Sequence, residues 1–268
     1  MDLLKKMTEF FSGLYLQAIT KQEPARPNPE VTLSAIREAI DPKEAPLEVI
    51  AQPPVAEVTK LTNLPEQVLW CPFAVKRKEA MTTRGKYRKG YPEGAIVHFT
   101  SGSSAESSFQ HGLRSGYCFF VIHEDGTIWQ SFPLDSWGYH AGESFHPKLG
   151  NGVSRYLVGI EISNAGVLTK KPDGTFETWF GRLIPSSQVR HIPKKMENMQ
   201  PGYYARYTEN QEQSLRKLVQ WLKMNHPTVF DYSLVLGHDE VAPQRKSDPG
   251  GALSVTMVDF RDSLKKSV

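Results

Sequence analysis

The stretch Gly237-His238-Asp239-Glu240-Val241-Ala242-Pro243-Gln244-Arg245-Lys246-Ser247-Asp248-Pro249-Gly250 holds the densest chemistry in this chain. The apolar run before it, Leu234-Val235-Leu236, reads as a buried strand. His238 is then expected where that strand opens into a loop bearing Pro and Gly, with Asp248 at the loop's far end. A histidine and a carboxylate at the two ends of one constrained loop can supply two ligands to a divalent metal. A second apolar strand pattern, Ala95-Ile96-Val97-His98-Phe99-Thr100, brings another histidine to a strand end. Two histidines and one carboxylate, with a fourth position left to water, form a catalytic zinc arrangement rather than a structural one. Lys246, two residues before Asp248, would place an ammonium beside it.

These groups need a frame. Residues 95–100 and 156–162 read as strands, and 117–123 with 127–132 as a hairpin turned by Asp125-Gly126. Thr208 with Gln211 is a capping-box signature. It precedes Leu215, Leu218, Val219 and Leu222 at helical spacing, and Asn225-His226-Pro227 closes that helix. Residues 255–266 read as a final helix. Between Asn164 and Tyr207 lies a long segment with few clear elements, containing Lys171-Pro172-Asp173-Gly174 and the aromatics Trp179, Phe180, Tyr203 and Tyr204. Placed directly after the strand that ends near Glu161, it would wall a groove or be a passive excursion. Strands and helices in mixed order imply an α/β fold, a mixed central β-sheet flanked by helices.

Composition narrows the class. With 268 residues, 39% hydrophobic and 10% aromatic, the chain is an ordinary globular sequence with enough length for a sizeable core. A net charge of +3 is too small to argue for nucleic acid. Residues 1–60 carry 7 Lys+Arg against 9 Asp+Glu, so the remainder is mildly basic, which suits an anionic substrate or plain solvated surface equally. No apolar run approaches the ~18 residues of a transmembrane span. Near the N-terminus, Leu3, Met7, Phe10 and Leu14 recur at helical spacing, and polar residues interrupt any secretory apolar core. The expectation is a short helix docked on the main domain, with weak membrane or wall contact through residues 1–20 as the alternative. Seven prolines and no glycine between Pro24 and Pro54 describe a semi-extended linker, broken by a helical island at 31–40. The organisation is therefore residues 1–60, helix and Pro-rich linker, and residues 61–268, one catalytic domain. Cys71 and Cys118 form no ligand spacing; Cys118 reads as a small core residue, and a disulfide between them stays open.

The motifs resemble one family. Ile96-Val97-His98-Phe99-Thr100, Gly116 to Ile122 with Asp125-Gly126-Thr127-Ile128, Tyr139-His140-Ala141-Gly142, Val158-Gly159-Ile160-Glu161-Ile162 and the 237–250 stretch occur in the order found in the zinc-dependent N-acetylmuramoyl-L-alanine amidases of the type-2 amidase superfamily. Phage endolysins, wall-recycling amidases and peptidoglycan recognition proteins share that superfamily. Any one motif is weak; five in order are strong, and they span about Tyr91 to Leu264.

The resemblance implies Zn²⁺ held by His98, His238 and Asp248. It implies Glu161 as general base and acid, Lys246 as the cation for a developing oxyanion, and Tyr117 as a contact at the reaction centre. His140 and Asn164 fall to substrate binding, with support of a ligand as the alternative for His140. A lone strand-end histidine is more often a structural hydrogen-bonding residue, and only the motif order outweighs that for His98 and His238. The implied activity is cleavage of the amide between N-acetylmuramic acid and the L-alanine of the stem peptide, in peptidoglycan or a muropeptide. The expected setting is a bacteriolytic, phage-type lysin, monomeric, made in the cytoplasm with no clear signal peptide and acting on the periplasmic side of the wall. Three alternatives remain: a cytoplasmic anhydromuropeptide-recycling amidase, a non-catalytic peptidoglycan-binding module, and an interaction protein that regulates a polymerase.

Overall fold

A computed structural model describes residues 66–77, 83–117 and 119–266. The stripe of Leu3, Met7, Phe10 and Leu14, the Pro-rich segment with its 31–40 island, the proposed boundary at residue 60, and Cys118 lie outside the described residues. Cys71 is a buried free thiol, pushed up to about 11 by burial.

In chain order the strands of the two larger sheets are β1 (Val75–Lys76), β2 (Gly94–Phe99), β3 (Phe119–Ile122), β4 (Ile128–Gln130) and β5 (Leu157–Ile162). Then come β6 (Val167–Lys170), β7 (Phe176–Glu177), β8 (Leu183–Ile184), β9 (Val189–Ile192), β10 (Gly202–Ala205) and β11 (Val235–Gly237). Six of them form the central sheet in the order β1-β4-β3-β5-β2-β11. Strands β3, β5, β2 and β11 run parallel, and β4 is antiparallel to β3, so the sheet is mixed as expected. The β3–β4 turn is the anticipated one: Asp125 Oδ1 accepts from the Thr127 amide at 2.8 Å, and Gly126 takes φ 89°.

Besides a four-residue helix at Glu66–Leu69, the helices are α1 (Ala105–Ser115), α2 (Glu209–Asn225), α3 (His238–Val241) and α4 (Met257–Lys265). Ser104 caps α1 through the Ser107 amide, and Gly116 ends it in the left-handed conformation, φ 70°. The capping box of α2 forms as its sequence predicts, with Thr208 and Gln211 bonding each other's backbone amides.

Strand alternation divides the central sheet's side chains between two faces. On one face Val97, Phe120, Ile122, Ile160 and Ile162 meet Leu215, Leu218, Val219 and Leu222 of α2 and Phe260 and Leu264 of α4. Burying each such leucine stabilises by roughly 1.5–3 kcal/mol. On the other face Ile96 and Leu157 pack with Ala141, Val153 and Val241, while Val121 packs under Phe109 of α1. His98 and Glu161 lie on this second face by the same period of two, His98 two residues past Ile96 and Glu161 paired with Val121.

The segment from Asn164 to Tyr207 corrects the expectation of few elements. It folds as a second, five-stranded antiparallel sheet in the order β8-β7-β6-β10-β9. Lys171 to Gly174 makes the β6–β7 turn, where the Gly174 amide donates to Lys171 O at 3.0 Å. The strands are only two to four residues long, too short for an alternating pattern to stand out. Leu168, Val189 and Ala205 form its core with Phe176 and Ile184.

Candidate metal centre and active site

Parallel strands with crossover connections leave their C-terminal ends clustered along one edge, where loops can converge. Register does the positioning here. His98 stands opposite Glu161 on the neighbouring strand, and Gly237 stands opposite Val97, so His238 emerges beside His98. Gly237 has no room for a side chain: a Cβ there would run into Asp239 and come within 2.9 Å of Pro249. The Asp239 amide then donates to the Asp248 carbonyl at 2.8 Å, tying the start of the loop to its end. Glu240 accepts from the Gly237 amide at 2.8 Å and is clamped by both guanidinium nitrogens of Arg261 on α4, at 2.7 and 2.8 Å. Such a bidentate pair fixes the short α3 turn that carries His238.

His98, His238 and Asp248 are all buried, and their ligand atoms lie within 4.8 Å of one another. His98 Nδ1 is 2.9 Å from His238 Nδ1, and each is 3.0 Å from Asp248 Oδ2. The outer ring nitrogens decide the tautomers. His238 Nε2 meets the Ala141 carbonyl at 3.0 Å, and a carbonyl only accepts, so Nε2 carries the proton and Nδ1 a lone pair. His140 Nε2 likewise donates to the Leu157 carbonyl at 2.9 Å, which leaves His140 Nδ1 to accept from His98 Nε2 at 3.0 Å. His98 Nδ1 is therefore also a bare lone pair. In these tautomers the two Nδ1 lone pairs and the carboxylate oxygen converge on one point, a donor set that could hold a cation. Their separations approach the ~3.3 Å edge of a tetrahedron with bonds of ~2.0–2.1 Å, so the donor set fits Zn²⁺.

Electrostatics agree. Burial, then the neighbouring His238, pulls His98 down to about 4, which keeps it neutral. Burial, then His98, holds His140 well below its ordinary value. For Asp248 burial alone would raise the carboxyl, but His238 and then His98, whose Nδ1 atoms lie against its Oδ2, bring it well below the usual carboxylate range. Glu161 moves the opposite way. Burial and the charge of Asp248 push it up to about 8, against the opposing pull of Lys246. Lys246 is half-buried, forms no ion pair among the described residues, and is felt by both Glu161 and His98.

The other expected residues fall at varied places. His140 bonds to His98 as described. Tyr117 is exposed, just past the end of α1, and bridges in register to Tyr139. Asn164 is buried with its side chain engaged in its own turn, donating to Arg206 O at 3.1 Å and accepting from the Gly166 amide at 2.7 Å. Asn164 and Tyr207 also line a groove of about 520 Å³ beside Arg182 to Pro185.

Several supporting residues are not evident from sequence. Ser154 Oγ accepts from the Ala141 amide at 3.0 Å. Arg245 donates to the carbonyls of Ala141 and Glu143 at 2.8 and 2.7 Å. Tyr207 donates to the His98 carbonyl at 3.1 Å. Arg245 lies inside the 237–250 motif and could have been noticed there; Ser154 and Tyr207 carry no local signal at all.

Residues 88–251 match the family described as N-acetylmuramoyl-L-alanine amidase. The chain belongs to that family. Its enzymatic activity is accordingly that of an N-acetylmuramoyl-L-alanine amidase, acting on peptidoglycan or its muropeptides. Among solved structures, this amidase is similar to a selenomethionine derivative of AmpD, at 20% identity over 75% of this chain and 98% of that one, TM-score 0.46. It is similar to AmiD from E. coli, solved with anhydro-N-acetylmuramic acid-L-Ala-D-gamma-Glu-L-Lys, at 20% identity over 68% of this chain and 61% of that one, TM-score 0.47. It is also similar to the endolysin LysCS from Clostridium intestinale, at 18% identity over 74% of this chain and 97% of that one, TM-score 0.43. No match was found among curated proteins. Among the described residues no helix is long and apolar enough to cross a membrane.

Proposed function

We propose that this amidase is a zinc-dependent, monomeric lysin that cuts the amide between the lactyl group of N-acetylmuramic acid and L-alanine in the wall polymer, on the periplasmic side. The observation that carries the reading is the convergence of His98 Nδ1, His238 Nδ1 and Asp248 Oδ2 at 2.9–3.0 Å. Those three side chains would hold one Zn²⁺. When bound, zinc lowers the pKa of its water toward ~7 and polarises a carbonyl.

Glu161 does the proton work. It accepts the proton of the attacking water and delivers one to the departing L-alanine amine. Its position opposite His98 on the adjacent strand, and a pKa of about 8 set by burial and Asp248, suit a group that must hold and release a proton near neutrality. Lys246, with no ion-pair partner among the described residues, supplies positive charge for the oxyanion that develops on the carbonyl. His140 keeps His98 in the tautomer whose lone pair faces the metal. Tyr117 and Asn164 are assigned to substrate contact. A polymeric substrate is favoured by exposed aromatic residues close to the site: Tyr139 directly precedes His140, and Trp179 bonds to Ser101, just past His98.

Elemental analysis of the purified chain should find one zinc, and digestion of purified sacculi should release new L-alanine amino termini without new reducing sugars. Reducing ends in their place would identify a glycosidase. Zinc-free protein that digests the wall at full rate would remove the metal from the reading.

A further inference from the structure

Trp179 occupies the tip of the β7–β8 hairpin on the inserted sheet, and its side chain is 59% exposed, the most exposed aromatic among the described residues. Exposure of this kind is usually a sign of looseness, but this ring is held. Its Nε1–H donates to the Ser101 carbonyl at 2.7 Å, and its plane meets Phe180 edge-on at 5.4 Å between centroids. The turn beneath it is closed by Thr178 N to Arg182 O at 2.9 Å and Gly181 N to Thr178 O at 3.0 Å. The Thr178 hydroxyl accepts from the Arg182 amide at 2.9 Å, and Thr178 itself is 3% exposed. Ser101 is backbone-constrained too, with φ 50°.

Position is the second observation. Ser101 follows His98 by three residues, which limits its distance from that ligand to roughly 10 Å. The hydrogen bond thus carries an aromatic face from the inserted sheet to the margin of the catalytic sheet. The polar edge of the indole is satisfied, and the broad apolar face is left to solvent at fixed geometry and low entropic cost on contact. Among the described residues Phe180 is the one aromatic ring that meets the indole.

We propose that Trp179 is a stacking platform for an N-acetylated pyranose ring of the glycan strand, beside the muramoyl unit whose amide is cut. The broad apolar C–H face of a pyranose matches the indole, whereas a stem peptide offers narrow, flexible side chains that end in charged or amide groups. A soluble muropeptide with one sugar ends at the muramoyl unit and has no neighbouring ring to place there. Trp179 therefore sets a preference for polymer over monosaccharide-peptide. This inference rests on the wall-polymer reading above.

The experiment uses the zinc-loaded full chain and its W179A, W179F and W179Q variants. Rates are measured on purified sacculi and on N-acetylmuramoyl-tripeptide, with peptide-free glycan strands as a competitor of sacculus hydrolysis. The ratio of the sacculus rate to the muropeptide rate should fall about two- to tenfold in W179A, the scale of one aromatic stack, through half-saturation rather than maximal rate. W179F should keep most of the ratio. W179Q, which retains a donor for Ser101 but no ring, should behave as W179A does. Glycan strands should inhibit the parent enzyme more strongly than W179A or W179Q. Equal losses on both substrates, an unchanged ratio in W179A, or a W179Q that behaves like the parent would each overturn the platform. A parent enzyme that releases L-alanine termini only from the soluble muropeptide would overturn the wall-polymer reading itself and the platform with it.

Discussion

The two sheets of this amidase are built from different kinds of information. The central sheet has strands of up to six residues, mostly parallel, with β2 and β5 buried on both faces. The inserted sheet has strands of two to four residues, all antiparallel, around a small core. Parallel strands need long crossovers, so their ends collect residues from distant parts of the chain; hairpins join only neighbours. That difference explains why all the proposed ligands and Glu161 belong to the central sheet or its loops, while the inserted sheet contributes rims such as Trp179. The proposed chemistry is placed by register in one region and the proposed aromatic platform by turns in the other.

If the central sheet alone assembles the metal site, H238A and D248A should strip zinc and abolish hydrolysis while leaving the fold in place, as read by elemental analysis and circular dichroism. Full zinc occupancy in both variants would break the comparison at its foundation. E161Q should keep zinc and lose ~10²–10⁴-fold in turnover, the range of general acid–base catalysis. K246A should lose less than E161Q, on the scale of one oxyanion contact at most, ~10²–10³-fold. An E161Q enzyme within twofold of the parent would remove Glu161 from the proton path.

Stability should divide in the same way. Leu218 on α2 is fully buried, and L218A should cost ~2–5 kcal/mol in a urea titration. Leu183 on β8 is 59% exposed, and L183A should stay within ~0.5 kcal/mol. Comparable losses would mean that the inserted sheet carries as much of the fold as the central one.

His140 tests the boundary between holding the metal and holding substrate. H140A should weaken zinc binding ~10–100-fold, because it removes the acceptor that orients His98. A raised KM with zinc affinity unchanged would assign His140 to substrate instead.

A small, pH-dependent effect is expected at Glu93, 5% exposed and paired with Arg88 and Lys89 at 2.6 Å each. Burial alone would raise its carboxyl, but the two cations bring the net value below the ordinary one. Its folded pKa is thus below its unfolded value of ~4.3, so its stabilisation is present above that pH and is lost as pH falls through the folded value. Both partners are about half exposed, so the contribution at pH 7 should be under ~1 kcal/mol. E93Q should remove it, with the parent and variant urea midpoints drawing together at acid pH. A gap that widens on acidification would reverse the sign.

The central architecture was legible because its signals are local. A buried strand announces itself as an apolar run, α2 by its capping box and leucine spacing, and the β3–β4 turn by Asp125-Gly126. The inserted sheet was not, since two-residue strands such as β7 and β8 have no period to read. The same limit hid the supports of the site. Ser154, Tyr207 and the carbonyls of Ala141 and Leu157 act across 13 to 109 residues of chain or through backbone atoms that every residue possesses.

By itself the sequence determined which side chains are proposed to bind a metal and move a proton, and which strands and helices carry them. His98, His238, Asp248, Glu161 and Lys246 could all be named before any coordinates, because their motifs keep a recognisable order. Only the tertiary structure decided which nitrogen of each histidine faces Asp248, since that depends on the carbonyls of Ala141 and Leu157 and on His140. It also decided that Glu161 rises to about 8 while Asp248 falls below the usual carboxylate range, two carboxyls of one kind driven apart by their surroundings. The physical reason is the same throughout. A residue's type travels with the chain, but its protonation, tautomer and exposure are set by neighbours that only folding brings within 3 Å.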